Sequence, residues 1–225
     1  MSKEFHLTMP ISEEQIRELH VGDVVYLTGK IYTLRDMGHR RAVEMIKNGE
    51  ADKIPFDLTN TGIYHCGPVV KQDENGKWQV VSAGPTTSSR FTHLGASLIR
   101  SLKFRVTLGK GTLFKDAVDA MQEVGSVFLQ CTGGCAAYYS NYITEVEDVQ
   151  WTDLGLPEAA WGFKIKDFGP FIVGIDSHGG SLYDSMREKV YKNYSEVCKR
   201  SNIDEQYNYS YLPKNILGRT SDERM

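Results

Sequence analysis

Short runs of β-branched residues alternate with apolar residues at helical spacing through the middle of this chain. Residues 91–103 and 112–124 have the helical spacing, and residues 105–108 and 126–129 are rich in strand-forming residues. Strands that alternate with helices in this way usually lie side by side in one sheet, with the helices packed on its faces. The alternation therefore predicts an α/β domain.

Hairpin signals come before this alternation, and further strand signals follow it. Residues 23–29 are β-branched and aromatic and end at a glycine, which predicts a hairpin with residues 31–34. Residues 73–76 predict a second hairpin turn, and late strands are predicted at 163–168 and 171–176. Hairpins bring antiparallel pairs, so we predict a mixed sheet flanked by helices rather than a purely parallel one.

The end of the chain differs in character from the rest. Residues 185–200 predict a helix, and residues 201–225 are polar with scattered aromatic residues and no clear period. Neither an internal repeat nor a linker is visible before that point. We therefore predict one domain over residues 1–183, followed by a C-terminal helix and extension over residues 184–225.

Composition excludes some classes of partner. The net charge is −3 and the isoelectric point about 6.1, whereas nucleic acids and anionic membranes usually bind a basic face. The sequence contains no apolar run of bilayer length and begins with no signal-peptide pattern. Four cysteines in 225 residues do not make a disulfide framework. We therefore expect a cytoplasmic protein that binds neither nucleic acid nor membrane.

The most informative stretch is the loop from Gly84 to Arg90, which contains two threonines and two serines. It precedes a predicted helix, so it offers free backbone N–H groups, hydroxyl donors and a helix N-terminus, which together suit an anion. Arg90 adds a forked cation that matches a carboxylate. The alternative is an ordinary helix cap followed by a surface arginine.

Two further segments carry cations at predicted strand ends. Lys110 stands between Gly109 and Gly111, where the backbone can approach closely and leave the ammonium group uncovered. The upstream glycine of a phosphate-binding P-loop is missing, which argues against a nucleotide site. Arg35 belongs to a charged segment, 33–41, at the start of a predicted helix. Taken alone, each segment also fits a solvated surface.

Cys131 and Cys135 form a C-x3-C pair around two glycines. An iron–sulfur cluster takes three or four thiolates, so a complete cluster would also need Cys66 and Cys198. We predict instead that the pair is structural and forms a tight turn between a strand and a helix.

Several of these segments, taken in order, resemble the β subunit, or C-terminal domain, of class I fumarase and L(+)-tartrate dehydratase. The resemblance covers about residues 10–183, and it rests on residues 21–29, 33–36 with 39–41, 84–90 and 109–111. It implies a swivelling β/β/α fold. It also implies a separate α subunit that carries a 4Fe–4S cluster on three cysteines, in a heterodimer or a heterotetramer with two copies of each subunit. This chain would then bind no metal.

The resemblance also assigns roles to individual residues. It places the carboxylates of a small dicarboxylate substrate on Arg35, Arg90 and Lys110, with Thr87 beside them, and it gives Thr86 a role in proton transfer. A neutral threonine is a poor base, so Thr86 either relays or orients the proton or has a partner that takes it.

The substrate is suggested by residues outside this set. Residues 147–158, 167–170 and 175–179 are more similar to the tartrate branch than to the fumarase branch, and Ser89 stands where fumarases have glycine. This favours dehydration of L(+)-tartrate to oxaloacetate. Two alternatives remain open: hydration of fumarate to malate, and a non-catalytic binding or assembly module.

Overall fold

The computed structural model describes residues 2–204, which contain nine β-strands and six α-helices. The strands are β1 (Glu4–Thr8), β2 (Val24–Thr33), β3 (Gly62–Tyr64), β4 (Val69–Gln72), β5 (Trp78–Ser82), β6 (Val106–Gly109), β7 (Val127–Gln130), β8 (Ile143–Gln150) and β9 (Ala160–Ile175). The helices are α1 (Glu13–Arg17), α2 (Asp36–Lys47), α3 (Thr92–Leu102), α4 (Lys115–Val124), α5 (Ala136–Ser140) and α6 (Leu182–Arg200). Within the described residues, 2–183 form one compact unit and 184–204 belong to a second, and most of the extension predicted over 201–225 lies outside the described residues.

Seven strands form one mixed sheet in the order β1-β2-β3-β6-β7-β9-β8. Strands β1, β2, β3, β6 and β7 pair in parallel. Strand β9 is antiparallel to β2, β7 and β8. Because β9 pairs with both β7 and β2, the strands β2-β3-β6-β7-β9 close into a ring. The predicted mixed sheet with flanking helices is confirmed.

The two faces of this sheet bury different residues, because successive side chains of a strand point in opposite directions. On β7, Val127 and Leu129 join one apolar cluster with Phe163 and Phe168 of β9. The residue between them, Phe128, joins a second cluster with Met121 and other residues from α2, α3 and α4. One face therefore packs mainly against residues of other strands, and the other packs against helices α2, α3 and α4.

The hairpin predicted between residues 23–29 and 31–34 is wrong, because both stretches belong to the single strand β2. Position 29 requires glycine because Met9 lies close to its backbone, and not because the chain turns there. It has φ +121°, and a Cβ there would lie 2.9 Å from Met9 Cβ and 3.1 Å from the Met9 carbonyl oxygen. The pairing with β9 also shifts register beside it, which is typical of a bulge.

The structure differs from the predicted elements at three other places. The late strands 163–168 and 171–176 are one strand, β9, which pairs with β2 on both sides of the Gly169–Pro170 step. Strand β8 was not predicted, because two register shifts break its period-two pattern. Strand β1 was not predicted either.

None of the helices in residues 2–204 is both long and apolar enough to cross a bilayer.

The parallel strands bring several predicted site segments to one edge of the sheet. Strands β2, β3, β6 and β7 run in the same direction, so their carboxyl ends lie together. The residues that follow these ends include Arg35, His65, Lys110 and Cys131.

A buried aromatic and imidazole layer lies just beneath this edge. His39 Nδ1 donates to the Arg35 carbonyl oxygen at 2.8 Å, and His65 Nδ1 shares a hydrogen bond of 2.8 Å with Ser88 Oγ. Phe91 stacks on His39, with ring centroids 4.6 Å apart, and also contacts His65. Burial lowers the pKa of both imidazoles, to about 4 for His39. Both rings are therefore neutral in the folded protein near neutral pH.

We expect stability to fall in acid because of this layer. The unfolded chain binds protons at these histidines near pH 6.5, and the folded chain does not. The free energy of unfolding therefore has its full value above pH 6.5 and declines as the pH falls towards 4. A shift from 6.5 to about 4 at His39 corresponds to roughly 3 kcal/mol. Denaturant unfolding between pH 7.5 and 4.5 measures this slope.

The matched comparison is His39→Gln against His6→Gln, since the His6 side chain is 59% exposed. His39→Gln should flatten the pH slope, and His6→Gln should leave it as in the parent chain. Equal slopes for all three proteins would show that His39 does not govern the acid sensitivity.

Candidate functional site

The loop from Gly84 to Arg90 lies across the carboxyl ends of β3 and β6. The Thr86 N–H donates to the His65 carbonyl oxygen at 2.7 Å, and the Ser88 N–H donates to the Lys110 carbonyl oxygen at 3.0 Å. Strand-like bridges also join Pro85 to Cys66 and Thr87 to Lys110. The loop follows β5, which pairs with β4 in a separate two-stranded sheet. These backbone contacts place Thr86 and Thr87 beside the residues that follow the parallel strands.

The threonines and serines of this loop do not cap the helix that follows. Helix α3 is preceded by a short 3-10 helix, Ser88–Phe91, and no side chain caps the start of either. Thr86 Oγ1 instead accepts a hydrogen bond from Arg90 Nη2 at 3.0 Å. Ser88 is buried against His65. The interpretation of this loop as an ordinary helix cap is therefore wrong.

Arg35 and Arg90 come together around one carboxylate. Arg90 Nη2 donates to Asp36 Oδ2 at 3.0 Å, and Arg35 Nη2 lies 3.9 Å from the same oxygen. The Arg90 side chain is 46% exposed and the Arg35 side chain 27%. Both guanidinium groups therefore face solvent in part and can reach an external anion.

Two carboxylates that were not predicted as site residues contact these arginines. Asp36 is the first residue of α2, and Glu158 precedes β9. Glu158 Oε1 lies 3.4 Å from Arg35 Nε, and Glu158 Oε2 accepts the Met37 N–H at 2.8 Å. The one sequence signal for them is that they lie within segments that resemble the family, 33–36 and 147–158. Acidic residues next to a charged segment otherwise usually lie on a solvated face.

Lys110 follows β6, and its flanking glycines have separate structural reasons. A Cβ on Gly109 would lie 1.9 Å from Ser88 Oγ and 3.1 Å from His65 Nδ1, so any side chain would push the loop away. Gly111 has φ +79°, in the left-handed region. Within residues 2–204 no carboxylate pairs with the Lys110 ammonium group. The Lys110 ammonium group can therefore meet an external anion without leaving a carboxylate partner within the described residues.

The cysteines near this edge are buried thiols. Burial raises the pKa of Cys66 and of Cys131, so both stay protonated and are poor metal ligands. Cys131 follows β7, and its N–H donates to the Gly109 carbonyl oxygen at 2.6 Å, while Cys135 immediately precedes α5. In the described part of the chain, no three His, Cys, Asp or Glu side chains are grouped to hold a metal ion. The residues present therefore do not fit a cluster.

The site thus combines three cations with two half-buried threonines at one edge of the sheet. Arg35, Arg90 and Lys110 supply the positive charge, and Thr86 lies within hydrogen-bonding distance of Arg90. Guanidinium groups bind carboxylates through paired N–H donors, and an ammonium group acts as a point charge. The arrangement suits a small molecule with more than one carboxylate.

The chain is similar to several known proteins. Residues 1–186 match the family described as "Fumarase C-terminus". The chain is 42% identical over 188 residues to "Putative L(+)-tartrate dehydratase subunit beta" of Methanocaldococcus jannaschii, which covers 83% of this chain and 95% of the relative. It is 39% identical over 176 residues to "L(+)-tartrate dehydratase subunit beta" of Escherichia coli, with 78% and 85% covered.

A longer relative matches at the same level. The chain is 42% identical over 190 residues to "Putative fumarate hydratase class I" of Geobacillus stearothermophilus, which covers 84% of this chain but only 35% of that relative. The match to the family spans the whole sheet and every cation of the site. The chain belongs to the fumarase C-terminus family.

Proposed function

We propose that this chain is the β subunit of an iron–sulfur hydro-lyase that dehydrates L(+)-tartrate to oxaloacetate. The observation that carries the proposal is the meeting of Arg35 and Arg90 beside Thr86, with Lys110 joined to the same loop. Two of the three relatives described above are named as β subunits of tartrate dehydratase. The similarity of residues 147–158 to the tartrate branch also favours this substrate.

The cations bind the substrate carboxylates. Removing a proton from the carbon next to a carboxylate adds negative charge to a substrate that is already a dianion. Fixed cations stabilise that charge most in the transition state, provided that water is kept away. Arg90 must then turn some of its donors from Asp36 to the substrate, and Lys110 has no carboxylate to leave within residues 2–204.

Thr86 takes part in proton transfer. Its Oγ1 accepts a hydrogen bond from Arg90 at 3.0 Å, and a nearby cation stabilises negative charge that develops on that oxygen. A neutral hydroxyl is a poor base. Arg90 therefore binds a carboxylate and also stabilises the alkoxide form of Thr86, which can take the substrate proton once a further acceptor has taken the proton of the hydroxyl.

The remaining chemistry is assigned to a partner. A 4Fe–4S cluster on the α subunit would act as the Lewis acid on the departing hydroxyl. This chain contributes an open face, with Arg90 46% exposed, and a covering surface would be needed to exclude water from it. A second subunit that packs over this edge meets both needs.

Fumarate hydration is the second candidate, because the relative named as a class I fumarate hydratase is as similar as the tartrate relative. The two reactions share the need for carboxylate-binding cations, so the geometry of this chain serves both. A non-catalytic module is less well supported, since nothing in simple assembly requires Thr86 to lie on Arg90.

The first test of the proposal compares the isolated chain with the assembled enzyme. We expect the isolated chain to be colourless and inactive, because its described residues offer no ligand set for a cluster. Co-expression with a three-cysteine α subunit should give a brown complex that dehydrates tartrate faster than it converts malate or fumarate. Steady-state kinetics on the three substrates and iron analysis measure both properties.

A stable cluster on the isolated chain that Cys131→Ser abolishes would contradict the assignment of the cluster to the partner. Preference for malate and fumarate over tartrate would move the function to the second candidate.

Arg90→Lys tests whether Arg90 binds a substrate carboxylate. Lysine keeps the charge but loses the fork and the second donor, so the variant should lose a charge-assisted bond of roughly 1.5–3 kcal/mol. This corresponds to a loss of about tenfold to a hundredfold in kcat/KM. Arg100→Lys is the matched control, since Arg100 pairs with exposed Glu123 on the helices. Unchanged kinetics for Arg90→Lys would place Arg90 outside the substrate site.

Thr86→Ala separates chemistry from binding. The hydroxyl caps no helix, so its removal should change stability little, whereas kcat should fall by about a hundredfold with KM much less affected. Thr87→Ala should have a milder effect, because Thr87 makes no side-chain contact with Arg90. Iron content must be measured alongside, so that cluster loss is not mistaken for loss of proton transfer. A fully loaded Thr86→Ala enzyme with near-normal kcat would remove Thr86 from the mechanism.

A further inference from the structure

We infer that Glu158 is a positioning residue for the substrate-binding guanidinium of Arg35. Through Glu158, the segment 151–158 that precedes β9 takes part in determining which dicarboxylate binds. The inference rests on the proposed function for its kinetic consequence, but the orientation of Arg35 that it describes can be measured without any activity.

Glu158 is held by the start of α2 and faces Arg35. Its Oε2 accepts the Met37 N–H at 2.8 Å, which satisfies one of the free N–H groups at that helix start. Its Oε1 lies 3.4 Å from Arg35 Nε, and only 18% of the Glu158 side chain is exposed. Arg35 Nε is itself buried and forms no hydrogen bond in the described part of the chain. The contact is therefore an ion pair whose geometry falls short of a hydrogen bond.

Arg35 lies in a narrow space that the same segment lines. A Cβ on Gly67 would lie 2.6 Å from Arg35 Nη1 and 2.7 Å from Arg35 Cδ. The same Cβ would lie 2.7 Å from the Pro157 carbonyl oxygen. Both the arginine side chain and the Pro157 carbonyl oxygen therefore lie against the α-carbon of Gly67, and only glycine leaves room for them.

Two carboxylates lie beside the Arg35 guanidinium. Glu158 lies on the Nε side, and Asp36 lies 3.9 Å from Nη2. Binding groups perform best when neighbouring side chains lock their orientation.

The segment that carries Glu158 is itself anchored at several points. Asp153 accepts two hydrogen bonds from Arg41 of α2, at 2.9 and 2.5 Å, and the Leu156 carbonyl oxygen accepts the Trp161 indole N–H at 2.8 Å. The sequence of this segment also favoured tartrate over fumarate. A substitution in the segment that moves Glu158 would shift Arg35, and so the distance between carboxylates that the site accepts.

A second role for Glu158 makes the opposite prediction. A carboxylate beside Arg35 also weakens the attraction of that arginine for an anionic substrate. If Glu158 only weakens the attraction between Arg35 and the anionic substrate, then its neutralisation should lower KM. If it positions Arg35, then neutralisation should raise KM, because the freed guanidinium must be ordered again on binding.

Glu158→Gln in the assembled enzyme distinguishes the two roles, because glutamine keeps the shape and an acceptor for the Met37 N–H but loses the charge. We expect KM for tartrate to rise about tenfold while kcat stays within about threefold, as for the loss of an interaction that is equal in the ground and transition states. Gly67→Ala should raise KM in the same way, because its Cβ would displace Arg35 and the Pro157 carbonyl. Glu145→Gln is the control, since Glu145 pairs with exposed Lys77.

Labelling of Arg35 by phenylglyoxal, followed by peptide mass spectrometry on the full chain, reports orientation alone. We expect several-fold faster modification of Arg35 in Glu158→Gln, and the parental rate in Glu145→Gln. An unchanged or lower KM, or unchanged labelling of Arg35, would overturn the inference. If the parent enzyme acts on no dicarboxylate, then the proposed function fails and the labelling rate alone decides whether Glu158 positions Arg35.

Discussion

The close approach of Ser88 to Gly109 is the contact on which the site depends. Ser88 Oγ occupies the space that a side chain at position 109 would need, and it shares a hydrogen bond with buried His65. This contact lets the loop 84–90 lie flat on the ends of β3 and β6, with its backbone paired to Lys110. The fixed loop keeps Thr86 in place, and Arg90 is held further by its hydrogen bond to Asp36. A buried, neutral imidazole layer thus supports a charged surface layer.

Much of the fold could be predicted from local patterns, because the helices and parallel strands in the middle of the chain show clear periods. Prediction from local patterns failed where contacts between residues far apart in sequence determine the structure. Gly29 resembles a turn, but it is a glycine because Met9 crosses it, and β8 loses its alternation at register shifts with β9. Neither contact leaves a trace in the neighbouring sequence, since both partners are distant along the chain.

The site shows the same division. Arg35, Arg90 and Lys110 were predicted as site residues because glycines, hydroxyls and strand ends surround them, and the family resemblance linked the segments. The carboxylates Asp36 and Glu158 were not given roles, since an acidic residue shows its function only through the cation that it faces in three dimensions. The sequence likewise could not tell whether Thr86 caps a helix, whereas the structure shows its hydroxyl bonded to Arg90 and capping no helix.

The paired carboxylates also bear on how such a site can exist before substrate binds. Cations gathered at one edge repel each other, and a partly buried carboxylate between two of them offsets that repulsion. Asp36 accepts from Arg90 and lies near Arg35, so the free site is already partly neutralised. Under the proposed function, an incoming carboxylate exchanges with Asp36 at Arg90 and does not meet a bare cation. Binding energy then depends on the difference between two carboxylates, which favours a substrate whose two charged groups fit the fixed cations together.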